Sequence, residues 1–156
     1  MNVDAPGPQA PDSRSVLVTA RLVAGGLAAG VLILTVLAGL VASPVRLEWL
    51  APPAALLGLV SPVIGYRLYA LLAERVSPTE DAGARRGAFL RATVVALSVA
   101  DGVAVFGIVA FALSGKPMAL IGVLTHVILT GAIWPSEERL ETFLESRRTT
   151  AGGGSP

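Results

Sequence analysis

Two residues in this chain could do chemistry because each lies deep inside an apolar run. Asp101 sits near the middle of Leu90–Phe111, LRATVVALSVADGVAVFGIVAF, a stretch long enough to cross a bilayer. A charge at that depth is costly, so it marks a functional site by default. His126, the single histidine of the chain, lies in the next apolar run. In a low dielectric a carboxylate and an imidazole shift each other's proton affinity and can pass a proton. Counting outward from the Ser114-Gly115 turn puts Asp101 about thirteen residues down one arm and His126 about eleven or twelve down the other. At 1.5 Å per residue their depths differ by only about 3 Å.

The competing explanation is structural. Asp101, paired with His126 or hydrogen-bonded to Ser98, Ser61, Thr125 or Thr130, would simply hold helices together. Ser61-Pro62 of the preceding apolar run comes to a similar depth, and Gly25, Gly26 and Gly30 lie near the centre of the first run. Arg67, with Tyr66 and Tyr69 beside it, is expected to snorkel to the interface; the alternative is an inward reach toward Asp101. Ala92, Ala96, Ala100 and Ala104 recur every four positions, the spacing of a close-packing helix face. The Gly25-Gly26 and Gly30 cluster is read as packing of the same kind, and no following Lys-Ser or Lys-Thr makes it a phosphate loop.

The elements that must position these residues are membrane spans. The chain has 156 residues, 53% hydrophobic and 15% charged, with a mean hydropathy of +0.70. A soluble domain carries about 25% charged residues, so the balance points to a bilayer. Residues 1–15 are Pro-, Asp- and Ser-rich and are expected to be a disordered tail. Spans are expected over about 16–42, 49–72, 88–113 and 118–134, with Pro62 kinking the second. The longest polar loop, Ala73–Gly87, separates the second and third spans. Beyond Trp134, residues 135–156 should form a short amphipathic helix with Leu140, Phe143 and Leu144 on one face, then a frayed end from Thr149. The fold class expected is all-α, an integral membrane four-helix bundle.

Four spans place both termini on one side. The two tails, the second loop and their helix ends carry ten arginines, against Arg46 and Lys116 on the other side. By the positive-inside rule both termini are cytoplasmic, in the cell (inner) membrane. Trp49 and Trp134 then lie at opposite interfaces. A signal-peptidase site at Leu40-Val41-Ala42 is an alternative that would remove the first span, although the apolar run exceeds a signal sequence's usual length of about 7–15 residues.

The segment Ala100-Asp101-Gly102-Val103-Ala104-Val105-Phe106-Gly107-Ile108-Val109 resembles the carboxylate-bearing helix of the rotary ATP synthase c subunit. In that family an alanine precedes the acid and an aromatic-glycine-aliphatic-valine run follows it. Ser61-Pro62-Val63-Ile64-Gly65 is similar to its glycine-rich partner helix, so the second and third spans look like one c-type hairpin. The chain departs from the family in its first and fourth spans, in keeping few of the partner helix's glycines, and in the bulk of Tyr66, Arg67 and Tyr69. What the resemblance implies is Asp101 as a proton-binding carboxylate.

Two functions follow as expectations. One is a small proton- or ion-binding membrane protein, with Asp101 and His126 as the site and Ser61, Pro62, Arg67, Ser98 and Thr125 around it. The other is a non-catalytic structural or accessory subunit, docked to a membrane-protein partner or a second copy. No cysteine, multi-histidine set or nucleotide loop is present, so no metal, cofactor or enzymatic reaction is assigned. A net charge of +1 without a basic-aromatic patch leaves the bilayer, not nucleic acid, as the expected surrounding.

Overall fold

A computed structural model describes residues 12–41, 47–75 and 81–152, with side chains through Glu145. Most of the amino-terminal tail, the candidate cleavage site at Ala42, most of the first loop and residues 153–156 lie outside the described residues. Those described form only helix and connecting turns. They comprise α1 (Ser13–Val41), α2 (Ala51–Glu74), α3 (Ala82–Ser114), α4 (Ile121–Ala132) and α5 (Glu137–Gly152). Short 3₁₀ turns, Glu48–Leu50 and Pro117–Leu120, lead into α2 and α4.

Capping chemistry moves two boundaries from where hydropathy puts them. Asp12 Oδ1 accepts the Ser15 N–H at 2.7 Å, so α1 starts inside the expected tail. Hydrogen bonding to Ser15, with Arg14 and Arg86 adding positive charge, holds the Asp12 carboxyl below the usual carboxylate range. Asp81 Oδ1 likewise accepts the Ala84 N–H at 2.6 Å and starts α3 six residues before the expected span. Ala82–Gly87, read as loop from its charge, is helix. Gly115 ends α3 in the left-handed region (φ 66°), where a glycine carries no Cβ penalty. The last helix also continues through the expected frayed end as far as Gly152.

α1, α2 with its 3₁₀ turn, and α3 are each long and apolar enough to cross a membrane. The expected fourth span is shorter: four residues of 3₁₀-helix and twelve of α-helix. It reaches spanning length only together with α5, from which it is bent by 68°.

α3 is the central helix and touches α1, α2, α4 and α5. Its Ala92, Ala96, Ala100 and Ala104 have no accessible surface, as the four-residue repeat predicts. The interior divides into levels. At one end Val16 and Leu17 of α1, Ala73 of α2 and Ala88 and Phe89 of α3 meet Leu140 and Phe143 of α5. Phe89 and Phe143 pack edge to face, centroids 5.5 Å apart at 71°. The apolar face of α5, expected to lie on the bilayer interface, therefore folds over the end of the bundle. Next come Ala24, Ala96, Leu97, Ala100, Leu129 and Ile133, then Val31, Ala104, Ile108 and Val123. Ala51, Ala54, Ala110 and Ala119 close the far end, where an exposed Lys116–Glu48 pair at 3.4 Å contributes little. Arg14, Arg75, Arg85, Arg86, Arg91 and Arg139 all belong to the helix ends around Phe89 and Phe143. The arginines gather at that end, interleaved with Asp12, Glu74, Asp81 and the glutamates of α5.

Helix α4 is seated by backbone contact. A Cβ on Gly58 would stand 2.5 Å from the Gly122 nitrogen and 2.8 Å from its Cα. A Cβ on Gly122 would stand 3.1 Å from the Val103 carbonyl oxygen. Only glycine lets α2, α4 and α3 approach so closely here. The glycines of α1 differ: a Cβ at Gly25, Gly26 or Gly30 meets nothing within 4 Å, so their expected packing role is not filled among the described residues. Gly58→Ala is expected to lower the thermal unfolding temperature in detergent, at an overpacking cost of about 1–3 kcal/mol. Gly26→Ala should leave it unchanged or slightly raised. Equal effects at the two sites would contradict the seating of α4.

Candidate functional site

The Gly58–Gly122 contact lies one turn from Pro62, and the proline explains the polar groups around it. Pro62 has no N–H, so the carbonyl of Gly58, four residues back, loses its helical donor. Two hydroxyls replace it. Ser61 Oγ donates to Gly58 O at 3.0 Å from the same helix, and Thr125 Oγ1 donates at 2.9 Å from α4. Thr125 also lies 3.1 Å from the Ile121 and Gly122 carbonyls of its own helix. In a bilayer, where no water serves an orphan carbonyl, such substitution is how a proline is tolerated within a span. Ser61, Pro62 and Thr125, expected to surround Asp101, are thus brought together around the Gly58 carbonyl.

The same seating fixes the level of His126. α3 and α4 run antiparallel, with Gly107 against Ala119 and Ala104 against Gly122 and Val123. Ala100 shares the next level with Leu129. Asp101 and His126 fall between these contacts, at one height, as the residue count predicts. The imidazole has no accessible surface and neither ring nitrogen has a hydrogen-bond partner. The Asp101 carboxylate is the charge whose field reaches it. Asp101 itself is half-buried. The two share a layer without a direct hydrogen bond.

One turn further along α4, Thr130 is 5% exposed and its Oγ1 is also buried without a partner. His126 and Thr130 thus place three orphan polar atoms on one face of α4. Spacing alone could have found them, because positions 126 and 130 are one turn apart. Ser98 is exposed on the outer surface of α3 and does not join the cluster. Arg67 is also exposed, in an outer groove with Pro62, Tyr66 and Ile128. It makes no ion pair with Asp101 among the described residues. Tyr69 turns inward, its ring packed against the Ala96–Leu129 level. Among the described residues no three His, Asp or Glu side chains converge as a metal site would require.

Comparison with family models, characterised proteins and solved structures finds no match to this chain. The site is therefore argued from its residues alone. Thr125→Val, which leaves Ser61 as the only replacement donor, is expected to cost about 1 kcal/mol in detergent unfolding, and Thr125→Ser close to nothing. Adding Ser61→Ala should cost more than the two single effects together, since only then is the Gly58 carbonyl orphaned. Strict additivity would mean the carbonyl has another donor.

Proposed function

We propose that this chain is a four-span membrane protein with cytoplasmic termini, in which Asp101 and His126 form a proton-binding pair at mid-bilayer depth. One observation carries the reading. A fully buried imidazole with both nitrogens unpartnered stands level with the carboxylate nearest the centre of a span. Burial without partners is a strained ground state for the imidazole. Sharing a proton, directly or through one bridging water, satisfies it together with the carboxylate. The ten arginines on one side, against Arg46 and Lys116 on the other, support the orientation by the positive-inside rule. From the resemblance to the rotary c subunit, only Asp101 as the reversible carboxylate is taken over, because α1 and α4 both pack on α3.

A second reading has its own support. Among the described residues nothing lies within 4 Å of a Cβ placed on Gly25, Gly26 or Gly30 of α1, and small-residue surfaces of this kind are where spanning helices dock. In that reading the protein is an accessory or assembly subunit and the Asp101–His126 layer is static.

Carbodiimide labelling across pH 6 to 9, with mass-spectrometric mapping and an Asp101→Asn control, separates the two. A protonated carboxyl gives its proton to a carbodiimide nitrogen as its oxygen adds to the central carbon, so labelling reports the protonated form. Adduct at Asp101 that declines as pH rises is the result expected of a reversible proton site. Absence of adduct at every pH would favour the static layer.

A further inference from the structure

α2 and α4 run side by side in the same direction, and the outer surface between them holds a groove that is apolar along its length and cationic at one end. Gly58 meets Gly122 and Gly65 meets Leu129, so the two helices keep one register. Pro62, Val63, Tyr66 and Arg67 of α2 form one wall, and Ile128 and Ala132 of α4 line the other. The groove opens outward and has a volume of about 340 Å³.

Depth orders these residues. Pro62 lies one turn from the Gly58–Gly122 crossing, in the middle of its span. Arg67 lies nearer the arginine-bearing end, level with Gly131 in the last turn of α4. The step from Pro62 to Arg67 is about 7.5 Å at 1.5 Å per residue. Half of a hydrocarbon core is about 15 Å thick, so the Arg67 backbone lies inside it. A guanidinium rooted there is costly unless an anion meets it. Among the described residues Arg67 is exposed and has neither an ion pair nor a hydrogen bond. On α2 the next charge is Glu74, at the end of the helix, and α4 carries no charged residue. Glu138 and Arg139 of α5 line a separate groove with Tyr69, past the end of α4.

We infer that this groove seats one anionic phospholipid from the leaflet at the arginine-bearing end, its phosphate on Arg67 and an acyl chain along Val63, Pro62 and Ile128. The seat presupposes the membrane-spanning reading and is independent of the proton pair. The order of groups matches such a lipid, whose phosphate lies toward the interface and whose chain runs to the bilayer centre. A free phosphate would leave the apolar walls unused. The guanidinium fork takes two phosphate oxygens at once, and Tyr66 in the same wall carries a further hydroxyl donor. A zwitterionic lipid offers the same phosphate together with a cation that Arg67 repels, so headgroup charge decides the occupant. Snorkelling alone would bring Arg67 to any headgroup in passing and hold none.

The test is native mass spectrometry of the full-length protein, stripped of lipid in detergent and titrated with phosphatidylglycerol or phosphatidylcholine of identical acyl chains. One phosphatidylglycerol is expected to stay bound in preference to phosphatidylcholine. Arg67→Gln should weaken that adduct by about tenfold, as loss of a charge-assisted hydrogen bond does. Arg67→Lys should fall between, because it keeps the charge and loses the fork. Ala132→Phe fills the groove without changing charge and should weaken the adduct as well. Both sites are exposed, so the variants should unfold near the native temperature in lipid-free detergent. Equal retention of the two lipids, or native phosphatidylglycerol binding in either Arg67→Gln or Ala132→Phe, overturns the lipid seat. Carbonate extraction distinguishes this from failure of the membrane reading. A chain that stays in the membrane yet shows no lipid preference loses the seat alone, and one released to the supernatant loses both.

Discussion

The contact of α4 with α2 and α3 through bare backbone is the constraint on which the rest depends. Gly58, Gly122 and the Val103–Ala104 backbone lie so close that no side chain fits between them. For helices of this apolar character placed in lipid, the hydrophobic effect would supply little association, leaving close packing and interhelical hydrogen bonds to hold them. This crossing supplies both. The backbones approach, and Thr125 reaches the carbonyl that Pro62 has freed. Shifting α4 by one residue would rotate His126 by about 100°, out of the core. The glycine crossing is thus what keeps an imidazole level with Asp101.

The same crossing reconciles a proline with a helix interior. A carbonyl without a donor costs several kcal/mol in hydrocarbon, yet here it becomes the anchor for a neighbouring helix. α4 is short for a span, and its attachment comes from this clasp and from α3, not from length. At the other end of α4 the chain turns, and α5 covers the bundle with Leu140 and Phe143. Both ends of the helix bearing His126 are therefore fixed.

Much of this was legible in the sequence, and the exceptions have physical causes. The apolar runs, the alanine face of α3 and the common depth of Asp101 and His126 follow from periodicity and rise per residue. The charge in Ala84–Gly87 suggests loop, whereas Asp81 as an N-cap dictates helix. Ser61 and Thr125 carry hydroxyls that could serve either a carboxylate or a carbonyl. Only the three-dimensional meeting of Gly58 with Gly122 decides between them. Leu140 and Phe143 mark an apolar face, but an apolar face does not say whether lipid or protein covers it. The glycines of α1 show the converse: small residues permit close packing without specifying the neighbour.

The most direct test of the account is the ring nitrogen spectrum of His126 in lipid bilayers, by magic-angle-spinning NMR across pH, in the native protein and in Asp101→Asn. The chain holds one histidine, so the signals need no assignment. If Asp101 and His126 are one proton-sharing unit, the ring signals titrate, and removing the carboxylate moves the midpoint. Ring signals that are the same at every pH and in both proteins would contradict the account and leave the buried histidine a structural residue.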